Sequence, residues 1–372
     1  MKNLKKIPIS NIKLKKTDIN YLKECIESGW VSSQGKFVNK FEKMFAKFCG
    51  TKFAISTSNG TSALHLALLA LGIKPGDEVI VPSFTFISTA NAVKYTGAKP
   101  VFIDSDPESW NISPSSIEAA INTKTKAIII VHIYGHPADM ETILKVSQKY
   151  RIPIVEDAAE AHGAEYDGKT VGSFGELATF SFYGNKIITT GEGGIITTNS
   201  KMHMEKITQL RDHGMSRTRK YWHTKLGYNY RLTNIQAALG VSQMERVDDI
   251  IKKKIEIASL YEKNLKDIAG IQLPPNQKNV KNVFWLYNIT ITKDFPISKD
   301  QLIHELKQNG IDTRPLFPPL HTQPIYSTGQ KLPVCEQLYQ NGFSLPSYTS
   351  LKDSDILKIT TIIKNISNHR RT

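Results

Sequence analysis

The sequence predicts an α/β protein with a large domain built on a mostly parallel central sheet and a smaller C-terminal α/β domain. Between residues 53 and 198, short β-branched runs alternate with helix-like segments, which is the pattern of βαβ units covered by helices on both faces. Beyond Gly270 the pattern changes to proline-bearing loops around fewer elements. The 372 residues are enough for two domains, and we place them at 1–247 and 248–372.

Seven apolar runs are candidates for the strands of the large sheet. The last two runs follow one another with no helix between them, so we expect an antiparallel pair near the edge of the sheet. The runs are FAIS (53–56), EVIVPS (78–83), KPVFID (99–104), KAIIIVHIYG (126–135), IPIVEDAA (152–159), ATFSFYG (178–184) and GGIITT (193–198).

Helices are predicted between these strands and after them. The segment at 115–121 has Ser113 as a cap and Pro114 in the first turn, and a long stretch at 235–268 has the apolar spacing of one helix that links two lobes. The remaining candidates are helices at 62–71, 140–150, 299–309 and 354–366 and a strand at 284–292.

Composition restricts the class of protein. The chain is 40% hydrophobic and 22% charged, and no apolar run approaches the roughly 18–20 residues that cross a bilayer. The N-terminus has lysines but no apolar run after them, so we predict a cytoplasmic protein without membrane insertion. The net charge of +14 is spread along the chain with no nucleic-acid-binding motif, which disfavours a nucleic-acid partner. The three cysteines are far apart, and no metal site is expected.

One lysine, Lys186, stands among small and hydroxylic residues in SFYGNKIITTGEGG, directly after a strand candidate. It could be a surface charge, a phosphate ligand or a nucleophilic amine. The spacing excludes a P-loop, because Ile187 rather than Ser or Thr follows the lysine, and no GxGxxG is present. A Schiff-base lysine for pyridoxal 5′-phosphate would also require an acidic partner, a phosphate cradle and a flat surface.

Each of these parts has a candidate at the end of a predicted strand. Asp157 could pair with a ring nitrogen, or it could cap a helix. The Asn59-Gly60 turn and Thr61 open an apolar helix, which suits a phosphate but is also an ordinary helix start. Ser181 adds a hydroxyl. Phe84 and Phe86 could supply the flat surface or belong to the core. Since the carboxyl ends of parallel strands share one edge of a sheet, the four parts together predict one site.

Six segments then carry a resemblance to a known family. They are NGTSALHLAL, VPSFTF, EDAAEAHG, SFYGNK followed by TTGEGG, and GYNYRLTNIQAALG, and the similarity runs from WVSSQGKFVNKFE to RPLFPPLHTQPIY. The chain resembles the sugar-nucleotide aminotransferases of the DegT/DnrJ/StrS family, which are fold-type I pyridoxal phosphate enzymes. The motifs occur in the order that this family has.

The resemblance implies a role for each residue of the site. Lys186 would bond the cofactor aldehyde, Asp157 would bind the pyridine nitrogen, and Phe86 would stack on the ring. The phosphate would be held by residues of both subunits of a homodimer with shared active sites. Glu160 would lie near the phenolic oxygen, where many members have glutamine or histidine. The phosphate ligands are Gly60, Thr61 and Ser181, with Asn229 from the neighbouring subunit.

The resemblance also implies a reaction. L-glutamate would donate its amino group, and a nucleotide-linked keto sugar would accept it, most similarly to members that aminate C4 of GDP-4-keto-6-deoxy-D-mannose. A 4-aminotransferase for a dTDP- or UDP-linked 4-keto-6-deoxy sugar is the alternative, and a non-catalytic regulator is a third reading. Candidate ligands for the substrate, each of which could instead be a surface or ion-pair residue, are Arg217, Arg219, Lys220, Arg231, Arg314 and His321.

Overall fold

The large sheet has seven strands in the order β1-β9-β8-β5-β4-β2-β3. The computed structural model describes residues 6–216 and 218–368. The strands in these ranges are β1 (Phe53–Thr57), β2 (Glu78–Pro82), β3 (Lys99–Ile103), β4 (Thr125–Val131), β5 (Ile154–Asp157), β6 (Glu165–Tyr166), β7 (Lys169–Thr170), β8 (Leu177–Ser181), β9 (Gly194–Thr198), β10 (Ile271–Gln272), β11 (Val280–Lys281), β12 (Tyr287–Ile291), β13 (Arg314–Pro315) and β14 (Gly342–Leu345).

The α/β prediction is confirmed strand by strand. All seven predicted runs form strands of this sheet, and β2, β3, β4, β5 and β8 pair in parallel. Strand β9 is antiparallel to both β1 and β8, as expected from the missing helix before it. It lies one position in from the edge, because β1 covers it. The run Ile128, Ile129 and Ile130 in β4 is fully buried, which fits a sheet with helices on both faces.

Helices surround the sheets and start where the sequence supplies capping residues. Ser113 caps the helix that begins at Pro114, and Asn59 caps the helix that begins at Gly60. The described helices are α1 (Lys16–Glu27), α2 (Lys36–Cys49), α3 (Gly60–Leu71), α4 (Ser88–Tyr95), α5 (Pro114–Ala120), α6 (Met140–Tyr150), α7 (Lys201–Arg211), α8 (Asn234–Met244), α9 (Val247–Leu265), α10 (Lys299–Gln308), α11 (Pro333–Asn341) and α12 (Asp353–Asn368). None of them is long and apolar enough to span a bilayer.

The prediction of one continuous helix over 235–268 is wrong. The chain forms α8 and α9 with a break at Glu245 and Arg246. The guanidinium of Arg246 donates to the buried carboxylate of Asp18 at 2.7 and 2.8 Å and to the carbonyl of Ser242 at 2.7 Å. These contacts hold the break in place, and they join it to a residue in α1 that lies far away in the sequence.

The C-terminal part of the chain forms a second sheet, which is antiparallel and ordered β10-β12-β14-β13. Its core contains the stacked rings of Tyr261 and Tyr287, 4.7 Å apart between centroids. A third sheet, β11-β6-β7, has strands of only two residues each and was not predicted. The domain boundary between 247 and 248 falls at the start of α9 and stays a prediction.

Candidate active site

A cavity of about 750 Å³ lies at the carboxyl ends of the parallel strands. Val131, Asp157 and Ser181 reach it from the ends of β4, β5 and β8. Trp285 and Arg314 line its other side from the C-terminal part of the chain. The edge of the sheet that the sequence predicts as the binding site is therefore the edge that holds this cavity.

The amino end of α3 has two backbone N–H groups to offer to an anion. The first four N–H groups of a helix have no acceptor within the helix. The side chain of Asn59 accepts from the N–H of Ser62 at 2.8 Å, and its carbonyl accepts from the N–H of Ala63 at 3.1 Å. No acceptor is found in the described part of the chain for the N–H groups of Gly60 and Thr61, and both residues line the cavity. Asn59 is thus a helix cap, and the two residues after it suit a phosphate.

Glycine is required at two places where this helix meets the sheet. A Cβ on Gly60 would lie 2.9 Å from the Cβ of Ser181, and a Cβ on Gly194 would lie 2.4 Å from the carbonyl oxygen of Asn59. The absence of these side chains lets α3 begin directly beside the end of β8. Ser181 and Thr61 consequently line the same end of the cavity. The residues present fit a phosphate group.

Asp157 is buried at the end of β5 and has room for one more donor. One carboxylate oxygen accepts from the hydroxyl of Thr89 at 2.8 Å, and the other accepts from the N–H of Ala159 at 3.2 Å. A carboxylate can accept about four hydrogen bonds. Burial raises the pKa of Asp157, so a cationic N–H at the free positions would stabilise its charge. A protonated pyridine nitrogen is such a donor.

Lys186 lies across the cavity in the loop after β8. Its Nζ is 3.8 Å from the centroid of a Trp285 ring and 3.5 Å from Oε1 of Glu160. Burial is the main cause that lowers the pKa of this amine, and the carboxylates of Glu160 and Asp157 oppose the shift. A lowered pKa increases the share of neutral amine near pH 7, and the neutral amine is the nucleophilic form.

Glu160 lies beside Lys186 and is almost fully buried. Its Oε2 accepts a hydrogen bond of 2.7 Å from the backbone N–H of Tyr134. Burial raises the pKa of Glu160 to about 7. The contact with the lysine was not predicted, since the resemblance placed Glu160 near a phenolic oxygen of the cofactor.

The two phenylalanines of VPSFTF have different positions. Phe84 is 1% exposed and packs 5.9 Å from the ring of Tyr134, so it belongs to the core. Phe86 is 54% exposed, lines the cavity and lies 5.8 Å from the ring of Phe317. Phe86 is thus placed where a flat ligand could contact it, and its stacking role stays a prediction.

Sequence reasoning missed an aromatic stack behind Lys186. The ring of Tyr134 lies 6.0 Å from Trp285 and 5.1 Å from Phe317, with interplanar angles of 12° and 9°. The indole N–H of Trp285 donates to the carbonyl of Asn185 at 2.8 Å, which ties the stack to the lysine loop. These residues come from distant segments with no shared spacing, so no signal in the sequence could have grouped them.

The structure separates the candidate substrate ligands. Arg314 lines the cavity. Arg231 pairs with Asp212 at 2.9 Å and donates to Asn229 at 3.0 Å, and Arg219 lies 4.0 Å from the ring of Trp222. Unlike Arg314, neither Arg231 nor Arg219 lines the cavity of its own chain, and neither do the residues that they contact.

His321 and Arg217 complete the candidates. His321 is buried, with one ring nitrogen 2.7 Å from the Ser83 hydroxyl and the other 3.0 Å from the Glu336 carboxylate. Both of its nitrogens are therefore occupied inside the protein, and it does not line the cavity. Arg217 lies outside the described residues, and Lys220 contacts the ring of Tyr221.

Together, the parallel sheet and a cavity with a lysine, a buried carboxylate and an anion cradle at its carboxyl edge define a pyridoxal phosphate-dependent enzyme of fold type I. Residues 12–364 match the model of the DegT/DnrJ/EryC1/StrS aminotransferase family, and the chain belongs to this family. The predicted family, its cofactor pyridoxal 5′-phosphate and the sugar aminotransferase class are confirmed.

Individual relatives are similar over almost the whole chain. A GDP-perosamine synthase of Escherichia coli O157:H7 is 46% identical over 96% of this chain and 97% of its own length. A GDP-perosamine synthase of Caulobacter vibrioides is 43% identical over 98% of this chain and 100% of its own. Among solved structures, DesV of S. venezuelae in complex with a ketimine intermediate is 34% identical, with a TM-score of 0.90 and coverage of 95% and 94%.

Proposed function

We propose that this enzyme transfers the amino group of L-glutamate to C4 of GDP-4-keto-6-deoxy-D-mannose, which gives GDP-perosamine and 2-oxoglutarate. The observation that carries this proposal is the 46% identity, over nearly the full length of both chains, to a protein named GDP-perosamine synthase. Retention of Lys186 and Asp157 in one cavity supports catalysis over a purely regulatory role. A dTDP- or UDP-linked 4-keto-6-deoxy sugar is the alternative acceptor.

Six residues of one chain are proposed to hold the cofactor. The Lys186 amine would bond its aldehyde, Asp157 would accept from its ring nitrogen, and Phe86 would cover its ring. Gly60 and Thr61 would donate their N–H groups to its phosphate, with the Ser181 hydroxyl beside them. Bound pyridoxal phosphate withdraws electrons from the carbon next to the amino nitrogen, so that a hydrogen on this carbon becomes acidic.

Lys186 is proposed to have a second role as the base of the reaction. Its pKa is lowered by burial, which increases the share of neutral amine, and the neutral amine can accept a proton from a substrate carbon and return it. The Trp285 ring at 3.8 Å covers one side of the amine. Asp157 would keep its negative charge and so stabilise a protonated ring nitrogen while this proton moves.

Arg314 is proposed to bind an anionic group of a substrate. Its side chain lines the cavity, and no ion pair with a carboxylate is found for it within the described ranges. A guanidinium presents a planar set of donors that suits carboxylate and phosphate groups. The amino donor and the sugar nucleotide both carry such groups.

A homodimer with shared sites is also proposed. Asn229 lies outside the cavity of its own chain, on the 212–231 segment that exposes Tyr221, Trp222 and Leu226 at 75%, 51% and 85%. Apolar side chains exposed to this degree on one segment favour coverage by another protein surface. In such a dimer, Asn229 of the partner subunit would reach the phosphate of the cofactor that the first subunit binds.

Subunit mixing tests the shared site. Lys186→Ala and Asn229→Ala proteins would each be inactive or weak, but a hybrid dimer would contain one site with both native residues. We expect activity to reappear after the two are unfolded together and refolded, up to about one quarter of the native activity per subunit for random pairing. No recovery in the mixture would contradict the shared site, while leaving the reaction itself untouched.

The acceptor is tested by direct comparison of substrates. Purified enzyme with cofactor and L-glutamate is given GDP-, dTDP- and UDP-linked 4-keto-6-deoxy sugars, and the amino sugar nucleotide is measured by mass spectrometry. We expect the highest kcat/KM with GDP-4-keto-6-deoxy-D-mannose. A higher kcat/KM with a dTDP or UDP sugar would favour the alternative, and no product with any of them would contradict a sugar aminotransferase with these acceptors.

A further inference from the structure

The carboxyl group of Glu160 and the amine of Lys186 share an enclosed space. Oε1 of Glu160 lies 3.5 Å from Nζ, and this is the one ion pair of Lys186 found in the described part of the chain. The Glu160 side chain is 5% exposed and that of Lys186 is 11% exposed. The face of Trp285 closes the other side of Nζ at 3.8 Å. A small rotation of the lysine side chain would bring Nζ and Oε1 to hydrogen-bond distance.

The backbone of Tyr134 holds the carboxyl group in this orientation. Its N–H donates to Oε2 of Glu160 at 2.7 Å, so Oε1 is the oxygen left for Lys186. Tyr134 has φ 54° and ψ 16°, a left-handed conformation that is uncommon for a tyrosine. Its ring packs against the rings of Trp285 and Phe317, which also contact each other, and its hydroxyl accepts from the N–H of Phe317 at 2.9 Å. Glu160 is thus positioned by a rigid segment.

Burial is the main influence against a fully ionised pair, and the nearby charges act in both directions. Asp157 raises the pKa of Glu160 but also raises the pKa of Lys186, whereas Arg314 lowers the pKa of Lys186. The other titratable groups that face the pair are uncharged near neutral pH, since burial raises the pKa of the Tyr134 phenol and lowers the pKa of the His162 imidazole to about 3. Burial itself penalises both the carboxylate and the ammonium ion.

We propose that Glu160 is a catalytic residue that accepts the proton of Lys186 and returns it. In the forward direction one N–H bond of the Lys186 ammonium breaks and an O–H bond forms at Oε1, which leaves a neutral amine and a neutral carboxylic acid. The number of protons in the pair stays constant, and no other reactant is needed. The neutral amine can then attack a carbonyl carbon. This inference rests on the proposed function only for the role of Lys186 as the cofactor-binding amine.

Infrared spectroscopy of the cofactor-free protein tests the proton on Glu160. The carbonyl stretching band of a protonated carboxyl group is followed against pH in the wild type, Glu160→Gln and Glu192→Gln. Glutamine keeps an oxygen for the Tyr134 N–H but cannot titrate. Glu192 is a matched control, since it lines the same cavity and is exposed. We expect a band that disappears near pH 7 in the wild type and the control and is missing in Glu160→Gln.

A titrating band of equal size in Glu160→Gln, or no wild-type band in this range, would overturn the proposal. Lys186→Ala provides a second test that does not depend on Glu160→Gln folding. Because the lysine cation lowers the pKa of Glu160, its removal should move the disappearance of the band to higher pH. An unchanged midpoint would show that the two groups do not share a proton.

Kinetics of the loaded enzyme separates proton transfer from mere support of the fold. General acid–base catalysis contributes about 10²–10⁴-fold, so Glu160→Gln should lower kcat to this degree and remove the pH dependence near pH 7, with a smaller change in KM. A loss of affinity with the same pH profile would contradict the catalytic role. Failure of every sugar substrate would refute the proposed function, but it would leave the infrared result in the cofactor-free protein unaffected.

Discussion

Two buried lysines contact the same tryptophan, yet their surroundings differ. Lys254 in α9 donates to the carbonyls of Trp285 and Ser347 and to the Ser347 hydroxyl, so that all three of its N–H groups have acceptors. Lys186 lies over the ring of Trp285 and has one distant carboxylate contact. Burial lowers the pKa of both amines, to about 7 for Lys254.

The difference shows that a buried, pKa-shifted lysine is not by itself a reactive one. The amine of Lys254 is fully occupied by backbone and hydroxyl oxygens, and it does not line the large cavity. Lys186 has unoccupied donor positions and faces about 750 Å³ of space with Asp157 and an anion cradle in it. We therefore assign Lys254 to the fold and Lys186 to the chemistry.

The largest expected effect separates the two lysines by function. Lys186→Ala should reduce transamination to background and abolish the visible absorption of lysine-bound cofactor, because no other amine reaches the cavity from the described residues. Lys254→Met should retain that absorption. Absorbance spectra after addition of pyridoxal phosphate measure both, with circular dichroism as a check of folding. A normal spectrum for Lys186→Ala would show that another group binds the cofactor, and it would contradict the distinction between the two lysines.

The next effect concerns stability, where we expect substitution of Lys254 to have a larger effect than substitution of Lys186. Lys254→Met leaves two buried carbonyls without a donor, which we expect to cost about 2–4 kcal/mol in the free energy of unfolding. Lys186→Met removes a polar amine that has one weak partner, so the cofactor-free protein should be as stable as the wild type or more stable. Urea unfolding measures both variants. Equal destabilisation by the two substitutions would contradict the assignment.

A smaller effect is expected in the pH dependence of stability. The folded protein holds the pKa of Lys254 at about 7, against 10.5 for an ordinary lysine. Between these values the unfolded chain binds more protons at this site than the folded protein, so the site contributes stability as pH rises through this window. The stability advantage of the wild type over Lys254→Met should widen from about pH 7 upward. If the melting temperatures of the wild type and Lys254→Met change with pH in parallel across this range, the pKa of Lys254 is not lowered in the folded protein.

The smallest effect on stability is expected for Lys253→Met, which serves as a control within helix α9. Lys253 precedes Lys254, but its side chain is 36% exposed and pairs with Glu256 at 3.4 Å and Asp353 at 3.8 Å. Because exposed ion pairs contribute little, Lys253→Met should change the free energy of unfolding by less than about 1 kcal/mol. A loss as large as that of Lys254→Met would mean that helix α9 is sensitive to any charge removed from it.

Local patterns predicted much of the fold. The seven strands of the large sheet follow from apolar runs, and the antiparallel β9 follows from the missing helix before it. The break before α9 could not be predicted, because it depends on a bond between Arg246 and Asp18 that spans 228 residues. Apolar spacing records which face of a helix is buried, but it does not record such a distant partner.

The candidate site also has a part that the sequence predicts and a part that it does not. Asp157 ends a strand, and Lys186 and Gly60-Thr61 each follow one, so the topology brings them to one cavity, as the sequence predicts. Trp285 lies 100 residues from Asn185, to which it donates, and reaches the site only through the packing of the second sheet. The contact between Glu160 and Lys186 likewise depends on side-chain directions that follow from tertiary structure alone.

We propose that Lys186, and not Lys254, carries the cofactor. The cofactor-loaded enzyme is treated with borohydride, which fixes an imine as a stable amine, and is then digested for peptide mass spectrometry. We predict the phosphopyridoxyl group on the peptide that contains Lys186 and none on the peptide that contains Lys254. The label on Lys254, or on any lysine other than Lys186, would contradict this assignment.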